Sequence, residues 1–194
     1  MITPEMIEQA KKDRLDVLSH TDLIPDPRYP IFEETTVYLR KICHQEQPER
    51  ILDLGSGMTS VLLRKWNPDA KVVSVENSLD YLKTSNDLLN RYGWVGNGEL
   101  LLWDVFKHQI DREPFDIVLH DMGDMAFRQK TFFTAMQYVK PGGVMFLDDF
   151  GIPVYKEYAM SLLTKHGFRP IHPNSPMMLG VSGAGEFAVF RHGE

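Results

Sequence analysis

The sequence predicts an α/β fold, a doubly wound parallel sheet with helices on both faces, and three observations predict it. After Pro48, apolar runs of four to six residues alternate with amphipathic stretches of 10 to 15, which is the rhythm of βαβ units. The runs are nearly continuous in Val, Ile and Leu, as strands buried on both faces are. The first run passes through Gly55-Ser56-Gly57 directly into a helical pattern, a strand-turn-helix junction typical of such sheets. At 194 residues with 43% hydrophobic content, the chain is long enough to bury roughly 70% of its unfolded surface in a single core. No repeat or linker divides it. One domain is expected, with residues 1–48 as an N-terminal helical cap and 49–194 as the sheet core.

Each element has a local reason. Thr3 and Pro4 stand at N-cap and N1 positions, and Ile7, Ala10, Leu15 and Leu18 recur at helical spacing, so a leading helix over 3–19 follows. Pro25, Pro27 and Pro30 stiffen the next stretch, and a second helix is expected over Ile31 to Gln45. Strands are predicted at Arg50 to Leu54, Lys71 to Val75, Glu99 to Trp103, Phe115 to Leu119 and Gly143 to Leu147. The intervening helices fall near Thr59 to Trp66, Ser78 to Tyr92 and Phe127 to Val139, with Pro153 to His166 after the fifth strand. Two closing strands, Phe168 to His172 and Glu186 to Arg191, flank a segment rich in Gly, Ser, Pro and Met.

Composition narrows the function. Lys and Arg number 21 against 27 Asp and Glu, a formal charge of −6, so a polyanion finds no general attraction and a small-molecule partner is favoured over nucleic acid. Cys43 is the one cysteine, which excludes an intramolecular disulfide and fits a reducing compartment. No apolar run approaches a membrane span, and acids stand early at Glu5 and Glu8. A cytoplasmic protein, free of the membrane, is expected, with a homodimer as an option.

The most informative segment is Ile51-Leu52-Asp53-Leu54-Gly55-Ser56-Gly57-Met58-Thr59-Ser60. Gly55 and Gly57 allow the backbone to turn tightly and approach a ligand, and the following helix start offers free N–H donors. Twenty-three positions after Asp53, Glu76 ends the second strand, an acid of the kind that accepts hydrogen bonds from a ribose diol. Asp104 follows the third strand. Three acids at three strand ends mark the crevice where open α/β sheets bind ligands, here a nucleoside. A dinucleotide fingerprint would place a third glycine where Ser60 stands, and Asp53 instead suits a ligand that brings an ammonium group.

On these residues the chain resembles the class I S-adenosylmethionine (SAM)-dependent methyltransferases, from about residue 31 to the C-terminus. Asp53, Gly55 and Gly57 match the acidic glycine motif of that family, and Thr59 stands at its third glycine. The resemblance implies a Rossmann-like seven-stranded sheet of order 3-2-1-4-5-7-6 with strand seven antiparallel. It also implies that Asp53, Gly55, Ser56, Gly57 and Thr59 hold the methionine end, and that Glu76 holds the ribose. Asp104 with the Val105 N–H would meet the adenine edge, and Asn77 and Met122 would flank the ring, with Asp121 alongside. The Val139-Lys140-Pro141-Gly142-Gly143 turn is also typical of the family.

Past strand four stand Asp121 and Asp124, and past strand five Asp148 and Asp149. Neighbouring strand ends share a rim, where four carboxylates repel unless a cation, a basic partner or a shared proton compensates. A hard divalent cation is the simple answer. The cluster resembles that of metal-dependent O-methyltransferases, closest to the macrolide and aminocoumarin sugar type through Asp148-Asp149-Phe150-Gly151 and more distantly the catechol type. This implies Asp121, Asp148 and Asp149 as ligands for Mg²⁺ or a similar ion, Asp124 as general base and His120 as an alternative base. The expected reaction is methyl transfer to a hydroxyl of a small molecule. A metal-free N- or C-methyltransferase and a non-catalytic nucleoside-binding domain are the rival expectations. Met122, Met125, Met177 and Met178 near the rim are candidates for a substrate lining, Gly180 to Gly185 reads as a hairpin connection, and the seven His show no zinc-ligand spacing.

Overall fold

The computed structural model describes residues 2–20, 31–94, 98–109, 112–171 and 186–193. Two helices lead, α1 (Pro4–Leu18) and α2 (Glu33–Glu46). Then follow β1 (Arg50–Leu54), α3 (Met58–Trp66), β2 (Lys71–Glu76), α4 (Leu79–Arg91), β3 (Gly98–Leu102) and the short α5 (Trp103–Phe106). The second half comprises β4 (Phe115–His120), α6 (Met125–Gln137), β5 (Val139–Leu147), α7 (Pro153–Lys165), β6 (Phe168–Pro170) and β7 (Ala188–His192). The seven strands run in the order β3-β2-β1-β4-β5-β7-β6, with β7 antiparallel to both neighbours. This is the expected sheet. No helix among the described residues is long and apolar enough to cross a membrane.

Alternation along the strands sorts two cores. Leu52 and Leu54 of β1, Val73 and Val75 of β2, Val118 of β4 and Met145 and Leu147 of β5 pack with α5, α6 and α7. Ile51, Val72, Ile117, Leu119, Val144 and Phe146, offset by one residue, pack with α1 to α4. That period of two fixes which polar side chains on these strands meet which helices. Asp53 shares the parity of Ile51 and faces α3, whereas His120 shares that of Val118 and faces α6 and α7.

Some boundaries differ from expectation, for local reasons. Trp103 does not extend β3; it opens α5 and buries its ring beside Phe106 and Phe127. β5 starts at Val139, four residues early, because Val139 pairs with Phe115 before the register breaks and resumes at Ile117 and Val144. β6 stops at Pro170, and His172 lies outside the described residues, as do Met177, Met178 and the segment from Gly180 to Gly185.

The N-terminal helices are held to α3 by one buried acid. Asp13 of α1 is 1% exposed and accepts from Arg40 of α2 at 2.6 Å and from Trp66 of α3 at 2.8 Å, with Lys65 at 2.8 Å and Gln9 at 2.9 Å. These donors together hold its carboxyl below the usual range against the opposing pull of burial. Further along α2, Tyr38 packs on Phe187 at 5.0 Å, which stacks on Phe146 of β5. Removing the Asp13 carboxylate strands two cations and an indole N–H, so Asp13→Ala should cost about 2 to 3 kcal/mol. Urea unfolding measures this; a loss below ~0.5 kcal/mol would show that the apolar contacts of α1 suffice.

Candidate functional site

The site is built where β1, β2, β4 and β5 end. Gly55 turns the chain out of β1 with φ +114°, and a Cβ there would come 2.7 Å from the Asp121 carbonyl oxygen. A glycine is therefore required both for the dihedral and for the close approach. The Gly55 N–H donates to the Val75 carbonyl at 2.9 Å, and the Asp121 N–H donates to that of Leu54 at 2.7 Å. These two bonds pin the glycine loop between the ends of β2 and β4.

Asp53 is not a surface acid reaching for a ligand. It is 0% exposed and accepts from Thr59 Oγ1 at 3.1 Å, Ser60 Oγ at 2.5 Å and Ser74 Oγ at 3.0 Å. Arg64, also buried, donates to Ser74 Oγ at 2.9 Å and to the Val72 and Glu99 carbonyls. Burial pushes Asp53 up to about 6, with the hydroxyl bonds and Arg64 opposing that rise. The expected contact between Asp53 and a methionine ammonium is thus corrected: the carboxylate faces α3 and anchors the loop from behind. Thr59 likewise gives its hydroxyl to Asp53 and to the Gly55 carbonyl at 3.3 Å. The face left for a ligand is the backbone of Gly55, Ser56 and Gly57, all partly exposed. Ser60 and Arg64, one helical turn apart, are the signal in the sequence that could have revealed this anchor.

Glu76 ends β2 as expected, and it is 3% exposed. Its Oε1 accepts from the Asn77 N–H at 2.8 Å and the Ser78 N–H at 3.0 Å. Its Oε2 accepts from the N–H and the hydroxyl of Ser56, both at 3.2 Å. Burial raises its pKa while these four donors oppose the rise. Beside it, Asn77, Asp124, Ala126, Phe127 and Lys130 line an open depression of about 320 Å³. Met122 is buried in the core on the α6 and α7 side. Asp104 and Val105 are exposed on α5, where the Asp104 carboxylate pairs with Lys107 at 2.5 Å. That pairing holds its pKa below the usual range.

The structure brings Asp121, Asp148 and Asp149 together, one oxygen of each lying within 4.8 Å of the others. Arg128 of α6 joins them. Its Nη2 lies 2.5 Å from Asp121 Oδ1 and 3.1 Å from Asp149 Oδ2. Nη1 donates to the Asp148 carbonyl at 3.1 Å and Nε to the Gly123 carbonyl at 3.2 Å. Asp149 adopts φ +52°, a left-handed conformation that Asp tolerates better than most residues. Asp148 is 8% exposed, and its Oδ1 is buried with no hydrogen-bond partner. Burial, then Asp121 and Asp149, raise the Asp148 pKa well above the usual range. Burial pushes Asp121 up to about 6, against the pull of Arg128. Three carboxylates and one guanidinium leave two formal negative charges, and the unmatched Asp148 oxygen is a further demand for a cation. The donor set fits a hard divalent ion.

The two residues expected to move protons stand apart from that trio. Asp124 is the N-cap of α6 and accepts from the Phe127 N–H at 2.8 Å. His120 is fully buried, and neither ring nitrogen faces the rim. Its Nδ1 lies 2.7 Å from Tyr155 Oη and its Nε2 3.0 Å from Thr131 Oγ1. The Thr131 hydroxyl gives its proton to the Phe127 carbonyl at 3.0 Å, so it accepts from Nε2–H and leaves Nδ1 to accept from Tyr155. Burial drives the His120 pKa down to about 3. The expectation of a catalytic His120 is corrected to a neutral core histidine. In the sequence, the one sign of Arg128 is its place seven residues past Asp121 in the helical stretch after strand four. Tyr155 and Thr131 carried no signal, because their role depends on strand parity and helix packing together.

No protein-family model matches the chain, and no curated protein matches it by sequence. Solved structures do. Rv0187 from MTB, determined with bound cofactor, shares 17% identity at a TM-score of 0.72, covering 94% of this chain and 90% of that one. The O-methyltransferase TomG from Streptomyces achromogenes, in complex with SAM, shares 16% identity at a TM-score of 0.63, covering 99% and 91%. The O-methyltransferase from Bacillus cereus, in complex with SAH, shares 13% identity at a TM-score of 0.60, covering 99% and 92%. In strand order and extent, the chain has the Rossmann-like fold of these structures, two of which are O-methyltransferases.

Proposed function

We propose that the protein is a SAM-dependent methyltransferase acting on a hydroxyl of a small molecule, with a divalent cation at Asp121, Asp148 and Asp149. One juxtaposition supports this. The glycine loop, which meets Glu76 through Ser56 and is with it suited to a nucleoside, lies in backbone contact with the strand end that carries the first acid of the trio. A cofactor on the loop would thus place its reactive end beside the acid cluster, where an acceptor oxygen could be held in line. TomG and the Bacillus cereus enzyme, described as O-methyltransferases with SAM and SAH respectively, support the same assignment.

The loop backbone would bind the amino-acid end, Glu76 the ribose, and the depression at Asn77 and Phe127 the adenine. A divalent ion, when bound, lowers the pKa of a coordinated hydroxyl and fixes its oxygen. Arg128 holds Asp121 and Asp149 in position for it. The test pairs calorimetry with a labelled-methyl screen over phenols, sugars and amines. SAH should bind at micromolar strength and NAD should not, and Asp149→Ala should abolish turnover while leaving SAH affinity nearly intact. Absence of SAH binding defeats the cofactor assignment, and activity undiminished in chelator defeats the metal.

Asp124 remains the proposed base, and its capping role allows a clean test. Asn caps a helix about as well as Asp, so Asp124→Asn should preserve the melting temperature and SAH affinity while kcat falls about 100-fold. An unchanged kcat would leave Asp124 as a cap alone.

Arg128 favours a second reading, a metal-free enzyme in which the guanidinium and a bound proton neutralise the cluster. Either way its removal has a defined pH signature. Groups whose folded pKa is raised contribute stability below their unfolded value and lose it as pH rises through the folded value. Arg128→Gln raises Asp121 and Asp148 further. We expect a loss of about 3 kcal/mol at pH 8 and a smaller one at pH 5, read by urea unfolding in chelator. A loss independent of pH would mean that Arg128 acts by packing alone.

A further inference from the structure

Glu76 presents a difficulty for any ligand that brings hydroxyl groups to it. A carboxylate has about four acceptor positions, and all four are taken by protein donors. The two bonds to Oε1, at 2.8 and 3.0 Å, come from the turn into α4 and fix the side chain. The two to Oε2 are longer, both 3.2 Å, and both come from Ser56. Ser56 sits between Gly55 at φ +114° and Gly57 at φ +149° and is partly exposed, so its side chain can turn while the loop backbone stays pinned. Its hydroxyl also has a second partner: Ser85 Oγ of α4 lies 2.8 Å away and is 1% exposed.

We propose that Ser56, backed by Ser85, is a displaceable hydroxyl plug that occupies the acceptor position a ribose hydroxyl takes on Glu76. Without ligand, the Ser56 O–H donates to Glu76 and the Ser85 O–H donates to Ser56. When a diol arrives, the Ser56 side chain rotates its hydroxyl away from Oε2 and donates it to Ser85, and the Ser85 O–H turns to a backbone carbonyl of its own helix, a bond that serine in a helix readily makes. One position on Oε2 opens, and no buried polar group is stranded in either state. Ser56 is thereby a specificity-determining residue: it lets Glu76 stay satisfied when empty and makes nucleoside affinity depend on a hydroxyl that can replace it. This rests on the reading of the Glu76 end as a nucleoside site.

Calorimetry with SAH, and with adenosine against 2′,3′-dideoxyadenosine, tests it. Wild-type binding of SAH reports on the nucleoside reading alone, and its absence would overturn that reading and this inference with it. Given binding, Ser56→Ala should tighten SAH and adenosine about threefold to tenfold, because no hydroxyl need be displaced, while dideoxyadenosine gains nothing. Ser85→Ala, which removes the alternative partner but leaves the plug, should weaken SAH several-fold, and the double variant should match Ser56→Ala. Non-additivity of that kind marks direct coupling. Weaker or equal binding by a folded Ser56→Ala, or an equal gain for dideoxyadenosine, would overturn the proposal; should that variant fail to fold, unchanged SAH affinity in Ser85→Ala would do so.

Discussion

The buried carboxylate of Asp53 is the interaction on which the rim depends. An ionised acid with no solvent is costly unless its lone pairs are filled and its charge is opposed. Ser60, Ser74 and Thr59 fill them, and Arg64 supplies opposing charge from the same helix. Because Ser60 also accepts from the Gly57 N–H at 3.2 Å, one network fixes the end of β1, the start of α3 and the loop between them. The loop's outer face can then stay open and polar, since its conformation is set from behind.

A second carboxylate–arginine network lies across the loop, with Arg128 as its centre. The two are built alike and serve opposite ends. Around Asp53 the acceptors and donors match, and nothing further is needed. Around Asp121, Asp148 and Asp149 they do not match: one buried oxygen is left over and the charges do not cancel. The first network is closed and the second is open, and in this molecule Gly55 is the residue on which the two abut.

Much of the fold was legible because two periods, 2.0 and 3.6, separate strands from helices, and glycine and proline punctuate them. Glu76, the loop glycines and the trio were legible because strand ends in a parallel sheet share a rim. Strand order came from resemblance, as no local pattern encodes it. What stayed hidden was the direction in which side chains point. Asp53 and His120 both stand at or near the end of a strand, yet parity turns one toward α3 and the other toward α6 and α7, and both are buried. Trp103 extends an apolar run and still leaves the strand, because its ring fits between Phe106 and Phe127.

The left-handed backbone at Asp149 has a consequence for how relatives of this chain can be read. Of the residues that accept such a dihedral easily, glycine, asparagine and aspartate, only aspartate brings a negative charge. Other residues would strain the turn, so the choice among these three is informative. A related chain with asparagine here has kept an oxygen and given up the pairing of charge with the arginine. One with glycine has kept the turn and nothing else. A single letter thus tells whether the third acid of the trio is present.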